Sequence, residues 1–170
     1  LPADLADFEA VERLVPACAD ALGAPVCLIN NASMFAYDDV ATLASDAWDA
    51  QLAVNLKAPV FLAKAFAAAL PTGVQGNVIN MIDQRVWKLT PQFFTYTLSK
   101  AALWQATQTL AQALAPNIRV NAIGPGPTLQ SIHQSPEEFA AEQAATLTGE
   151  GASPAEIVRA LRYLVSATSV

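Results

Sequence analysis

Three short apolar runs limit what this chain can fold into: "VCLIN" (Val26–Asn30), "NVINMI" (Asn77–Ile82) and "IRVNAI" (Ile118–Ile123). They read as nearly continuous apolar runs, which predicts strands buried on both faces. Much longer stretches of helical periodicity separate them, Ser45–Leu70 and Gln92–Ala115, with another at Ala6–Leu22 in front. Strand, long helix, strand, long helix, strand predicts an α/β fold, a doubly wound parallel sheet with helices on its faces. Two shorter helices are predicted at Ser135–Thr146 and Ser153–Ser166. They open "SPEE" and "SPAE", with serine as N-cap, proline at the first helical position and glutamate in the first turn. No repeat or linker divides residues 1–170, so one domain is expected. Three strands this apolar would leave two exposed edges, which predicts a sheet continuing beyond this sequence.

Composition excludes several classes. The chain is 54% hydrophobic and 14% charged, yet no 18 apolar residues run uninterrupted. The best candidate, Trp48–Leu70, is broken by Asp49, Gln51, Asn55, Lys57 and Lys64, so no membrane span is expected. A net charge of −6 without a basic cluster disfavours nucleic acid. Cys18 and Cys27 have neither disulfide-framework nor metal-site spacing; they read as buried thiols in a reducing cytoplasm, and no metal is expected.

The chemistry concentrates in "FFTYTLSKAAL" (Phe93–Leu103). Tyr96 and Lys100 stand four residues apart, on one face of a helix and about 6 Å apart at the backbone. A cation beside a phenol favours the phenolate and should lower its pKa, making it a proton donor or acceptor near neutrality. A Tyr-x-x-x-Lys spacing alone is weak evidence, and its context decides.

That context is "INNAS" (Ile29–Ser33) closing the first strand, "AVNLKAP" (Ala53–Pro59) within a helix, Asp83 thirteen residues before Tyr96, and "RVNAIGPGPT" (Arg119–Thr128) ending the third strand. In that order and spacing the chain resembles the short-chain dehydrogenase/reductase family, from about residue 3 to the end. The resemblance implies a Rossmann-type sheet and an NADPH- or NADH-dependent oxidoreductase. Tyr96 would be the proton donor, and Lys100 would lower its pKa and hold the nicotinamide ribose. Asn55 would interrupt its helix to bind a water in a proton relay. Asn31, Ala32 and Ser33 would turn beside the cofactor, with Met81, Pro125, Gly126 and Thr128 around its nicotinamide end. Asp4 and Leu5 would lie near the adenine, although Asp4 could equally cap the following helix.

One departure is informative. Most of the family has serine where this chain has Asp83. An ionised aspartate would repel an alkoxide-like transition state but suits a nitrogen heterocycle with N–H groups. The swap resembles the pteridine reductase branch, as does Phe35, placed to stack on a flat ring. Ser33, Phe35, Asp83 and Tyr96 are therefore the expected substrate contacts. Arg85 and Trp87 should overhang the same crevice, while His133, a lone loop histidine, is given no role. Reduction of ordinary carbonyls, such as 3-oxoacyl thioesters or sugars, is the alternative within the class. A non-catalytic module of the same fold is the alternative outside it.

The family's glycine-rich turn is not in this sequence, nor is its final strand. The chain therefore reads as the interior of a longer polypeptide, without the residues that choose NADPH over NADH. The alanine-rich helices 45–70 and 92–115 carry more apolar surface than one sheet face covers, which predicts a homodimer or homotetramer.

Overall fold

The computed structural model describes residues Leu1–Val170. Its centre is a parallel sheet in the order β1 (Cys27–Asn30), β2 (Gly76–Met81), β3 (Ile118–Ile123). Leu28 pairs with Val78, and Val78 with Val120. Both crossovers are helical. α2 (Ser45–Leu52), a π-helical turn (Ala53–Lys57) and α3 (Ala58–Ala69) join β1 to β2, and α4 (Phe94–Leu114) joins β2 to β3. α1 (Phe8–Leu22) precedes the sheet; α5 (Pro136–Ala144) and α6 (Pro154–Ser166) follow it, each opening with the capping box foreseen for it.

Alternation along β2 assigns the layers. Val78 packs with Ala63 and Phe66 of α3 and with Ile118 and Val120 of β3. Asn80, on the same face, donates to Thr107 Oγ1 of α4 at 2.9 Å. Asn77 points the other way and donates to the Leu164 carbonyl of α6 at 2.9 Å. A second apolar cluster joins Val11 and Val15 of α1 to Ala58 and Leu62 of α3. So α1, α3 and α4 form one layer and α6 lies on the opposite face: the doubly wound arrangement, with its site expected at the strand ends.

Two expectations need correction. Burial on both faces holds for β2 alone, whose Gly76–Asn80 are buried throughout. In β1, Ile29 is 42% exposed: it points to the face of α6, which packs on β2 and β3. The stretch from Ser45 to Leu70 is interrupted at Asn55, as the resemblance implied, by the wider π turn Ala53–Lys57. By length and composition Ser45–Ala69 would also pass for a membrane span. Its Ala58, Leu62, Ala63 and Phe66 are instead buried against α1 and the sheet, as in the core helix of a soluble protein. Cys18 and Cys27 are free but only half-buried; burial still pushes the Cys27 thiol up, against the pull of Arg119.

Candidate functional site

The strand ends open onto a cavity of about 300 Å³. Asp83, Gln84 and Arg85, after β2, line one wall, with Tyr96 beside them. Phe35 and Phe93 line another, Gly126–Leu129 after β3 a third, and Phe139 and Glu142 of α5 cover it.

Tyr96 is aimed by a cap borrowed from far away. α4 starts after Phe93, which sits in the left-handed region at φ 54° and offers no side-chain cap. Asp38, buried in the loop after β1, supplies one: its carboxylate accepts from Thr95 N at 3.1 and 3.3 Å, and its carbonyl from Phe94 N at 3.4 Å. A carboxylate there satisfies free amides and complements the helix dipole. The first turn of α4 is thereby fixed, with Tyr96 6% exposed at the cavity wall.

Within the site, the Tyr96 hydroxyl donates to Asp83 Oδ2 at 3.1 Å, and Asp83 Oδ1 accepts from Arg85 N at 2.8 Å. Lys100 Nζ donates to the Met81 carbonyl at 2.8 Å and stands 5.7 Å from the Tyr96 ring. Phenol and ammonium thus share the expected side of α4. The electrostatic consequence differs from the one expected. Burial pushes the Tyr96 phenol well above its ordinary range. The Asp83 charge and its hydrogen bond push the same way, while the Ser33 hydroxyl and the Arg85 charge oppose them. Burial also lowers Lys100, to about 8, with Asp83 opposing. For Tyr96 the raising effects prevail over the lowering ones. The phenol's hydrogen bond goes to a carboxylate, which holds the proton on it.

Asn55, fully buried in the π turn, has all four positions of its amide filled. Nδ2 donates to the Met34 carbonyl (2.8 Å) and Ser99 Oγ (3.0 Å); Oδ1 accepts from Met34 N (2.7 Å) and Ser33 Oγ (3.1 Å). The side-chain amide is thereby saturated with protein partners, within the π turn that interrupts the helix. It ties the loop after β1 to α4. Asn31, Ala32 and Ser33 lie exposed in that loop. Asn30, at the end of β1, does not reach the cavity; it donates to Asn80 Oδ1 at 2.8 Å within the sheet layer.

Phe35 meets Tyr96 edge-on at 4.6 Å and stacks on Phe93 at 4.2 Å and 7°. Gly126 and Thr128 line the cavity, while the Pro125 carbonyl accepts from Gln84 N at 2.9 Å. Asp4 and Leu5 do not line it. Asp4 accepts from Ala6 N at 2.9 Å, Leu5 packs on the α1–α3 cluster, and the α1 cap is Asp7. Of the two overhanging candidates, Arg85 lines the cavity. Trp87 is 61% exposed and packs on Trp104 instead, over Gly124, where a Cβ would fall 2.7 Å from its ring.

Sequence reasoning missed Phe93, Gln84, Gln134 and Glu142. Glu142 accepts from Gln84 Nε2 (3.1 Å) and Gln134 Nε2 (2.6 Å), bridging α5 to the loop after β2. His133 also joins the aromatic group, its Nε2 3.2 Å from the Phe35 carbonyl. Gln84 adjoins Asp83 and was within reach of the sequence argument. The residues around α5 carry no motif.

Fold and site together define a Rossmann-type domain with its reactive groups at the carboxyl ends of parallel strands. The family model described as enoyl-(acyl carrier protein) reductase matches residues 1–170. The uncharacterized oxidoreductase YjdA of Bacillus subtilis is 35% identical over 128 residues, 74% of this chain and 51% of that protein. Human dehydrogenase/reductase SDR family member 4 is 34% identical over 117 residues, 68% of this chain and 42% of that protein. The crystal structure of FolM alternative dihydrofolate reductase 1 from Brucella canis, complexed with NADP, superposes with a TM-score of 0.95 at 49% identity. It covers 100% of this chain, which spans 67% of that one. The chain belongs to the short-chain dehydrogenase/reductase family, and the FolM likeness agrees with the branch expected from Asp83 and Phe35. It spans about half the length of the curated relatives it matches.

Proposed function

We propose that the protein is an NADPH-dependent oxidoreductase that reduces a pterin-like nitrogen heterocycle. The observation that carries this reading is the 3.1 Å hydrogen bond from Tyr96 to Asp83 inside a cavity walled by Phe35. With Asp83 holding its proton, Tyr96 is a poor acid toward a bare carbonyl. A substrate N–H that donates to Asp83 would draw the carboxylate away from the phenol and free that proton for transfer. Phe35 suits the flat face of such a ring. Lys100 then favours the phenolate that forms.

The residues present fit a nicotinamide nucleotide. Lys100 and Ser33 offer an ammonium and a hydroxyl suited to sugar hydroxyls, and the backbone of Pro125–Thr128 offers amides and carbonyls suited to a carboxamide. Asp4 keeps one carboxylate oxygen without an intramolecular partner for the adenine side. The bound cofactor, NADPH or alternatively NADH, supplies a hydride; Tyr96 supplies the proton. The NADP complex at 49% identity favours the phosphorylated form.

Turnover of dihydropterin, dihydrofolate and an acetoacetyl thioester, followed by NADPH absorbance, tests the reading. Preference for the pterins supports it. Preference for the thioester replaces it with carbonyl reduction, and cofactor binding without any turnover with a non-catalytic module. A cytoplasmic homo-oligomer completes the proposal. Leu52, Leu56, Val60 and Phe61 form an uncovered groove on α2–α3 that a second copy would fill, and a monomer on size-exclusion chromatography would contradict it.

A further inference from the structure

We infer that Gln51 is a positioning residue, setting the direction in which Phe35 meets the substrate ring; the inference rests on the pterin reading above. Gln51 is the buried residue of α2 and is fully enclosed, at 0% exposed. A buried helix position ordinarily carries an apolar side chain. Here it carries an amide, of which only one end is used. Oε1 accepts from Ala36 N at 3.3 Å, while Nε2 has no partner within the chain. A buried donor without a partner costs stability, so holding the fold together does not account for this glutamine.

What Oε1 holds is the backbone beside Phe35. Residues 31–39 form neither helix nor strand, so their buried peptide groups depend on side chains for partners. Asn55, one turn beyond Gln51, takes both Met34 N and the Met34 carbonyl, at 2.7 and 2.8 Å. Gln51 takes Ala36 N on the other side. The Phe35 carbonyl accepts from His133 Nε2 at 3.2 Å, a bond exposed to solvent. The two peptide planes flanking a Cα fix its φ and ψ, and with them the direction of its side chain. Asn55 fixes the plane before Phe35, and Gln51 is the interior anchor of the plane after it. The ring is thereby held 4.6 Å from Tyr96, with its face on Phe93 at 4.2 Å. Without Gln51 the second plane keeps only the bond to a surface histidine, and Phe35 is free to turn from the cavity it lines.

Gln51→Met keeps the volume of the side chain and removes the acceptor. It should raise KM for dihydropterin by about 3- to 10-fold, the range that one lost aromatic stack spans. The value of kcat and the NADPH affinity should stay within about twofold, and the melting temperature should hold or rise, since the unpartnered donor is gone. In a Phe35→Ala background the same substitution should change KM by less than about twofold, because Gln51 acts through that ring. Equal factors in the two backgrounds, or no change of KM in either, overturn the inference while the pterin reading stands. Melting temperature and NADPH affinity falling together give Gln51 a structural role and overturn it too. If the wild-type protein turns over no pterin, both fall.

Discussion

Replacing Lys100 with methionine should make the protein more stable near neutral pH and inactive, and the stability change should depend on pH in a defined direction. Lys100 is 2% exposed and lowered from 10.5 to about 8. Below pH 8 both folded and unfolded chains carry its proton, and the folded state bears the desolvation cost of the charge. Between 8 and 10.5 the unfolded state binds more protons than the folded one, so stability rises with pH. The full shift corresponds to about 3 kcal/mol, and about 2 kcal/mol of it falls between about pH 7 and about pH 9.5. Methionine fills the path of the lysine stem but lacks its terminal ammonium group. Urea unfolding of both proteins across that window should show the variant's advantage shrinking by about 2 kcal/mol as pH rises. Its absolute value is lowered by the lost bond to the Met81 carbonyl, about 1 kcal/mol. A stability difference that stays constant over the window, or grows, would refute the claim that Lys100 is held near 8 by burial.

Two further outcomes follow from the same geometry. Asp83→Asn removes both the charge and the strongest acceptor facing Tyr96, so the phenol should move back down. Phenolate absorbance, taken as the difference from the same variant carrying Tyr96→Phe, should then appear at lower pH than in the parent, and no change would contradict the assigned cause. Asp38→Ala removes the cap from α4 and should cost about 1–2 kcal/mol in urea unfolding. It should also lower kcat more than it changes cofactor affinity, because Asp38 positions Tyr96 without touching the reacting groups; an unchanged kcat would remove that role.

The elements legible in the sequence were those with strong periodicity. β2 and α4 stood out because a run of apolar residues and a long helical stretch each have one physical reading. β1 was over-read: "VCLIN" looks like a strand buried on both faces, yet burial depends on which helices pack on each face, and the run itself does not encode that. The π turn at Asn55 was foreseen only through family resemblance, since a single asparagine gives no sign that its amide will be saturated by Met34, Ser33 and Ser99. The side of α4 shared by Tyr96 and Lys100 followed from their spacing. The direction of the Tyr96 shift did not, because spacing shows the nearby cation but neither the burial nor the Asp83 hydrogen bond that outweigh it. The α5 side of the cavity was illegible, since Glu142 and Gln134 meet Gln84 only after the α4 crossover and the loop beyond β3 bring them together.

Tyr96→Phe is the most direct test, because it removes one hydroxyl from a buried ring and leaves Lys100 and the cavity in place. The account predicts that NADPH-dependent reduction of a dihydropterin falls by about 100-fold or more, while NADPH affinity stays within about threefold. A variant that keeps wild-type turnover would mean that the proton comes from elsewhere, and the assignment built on that phenol would be withdrawn.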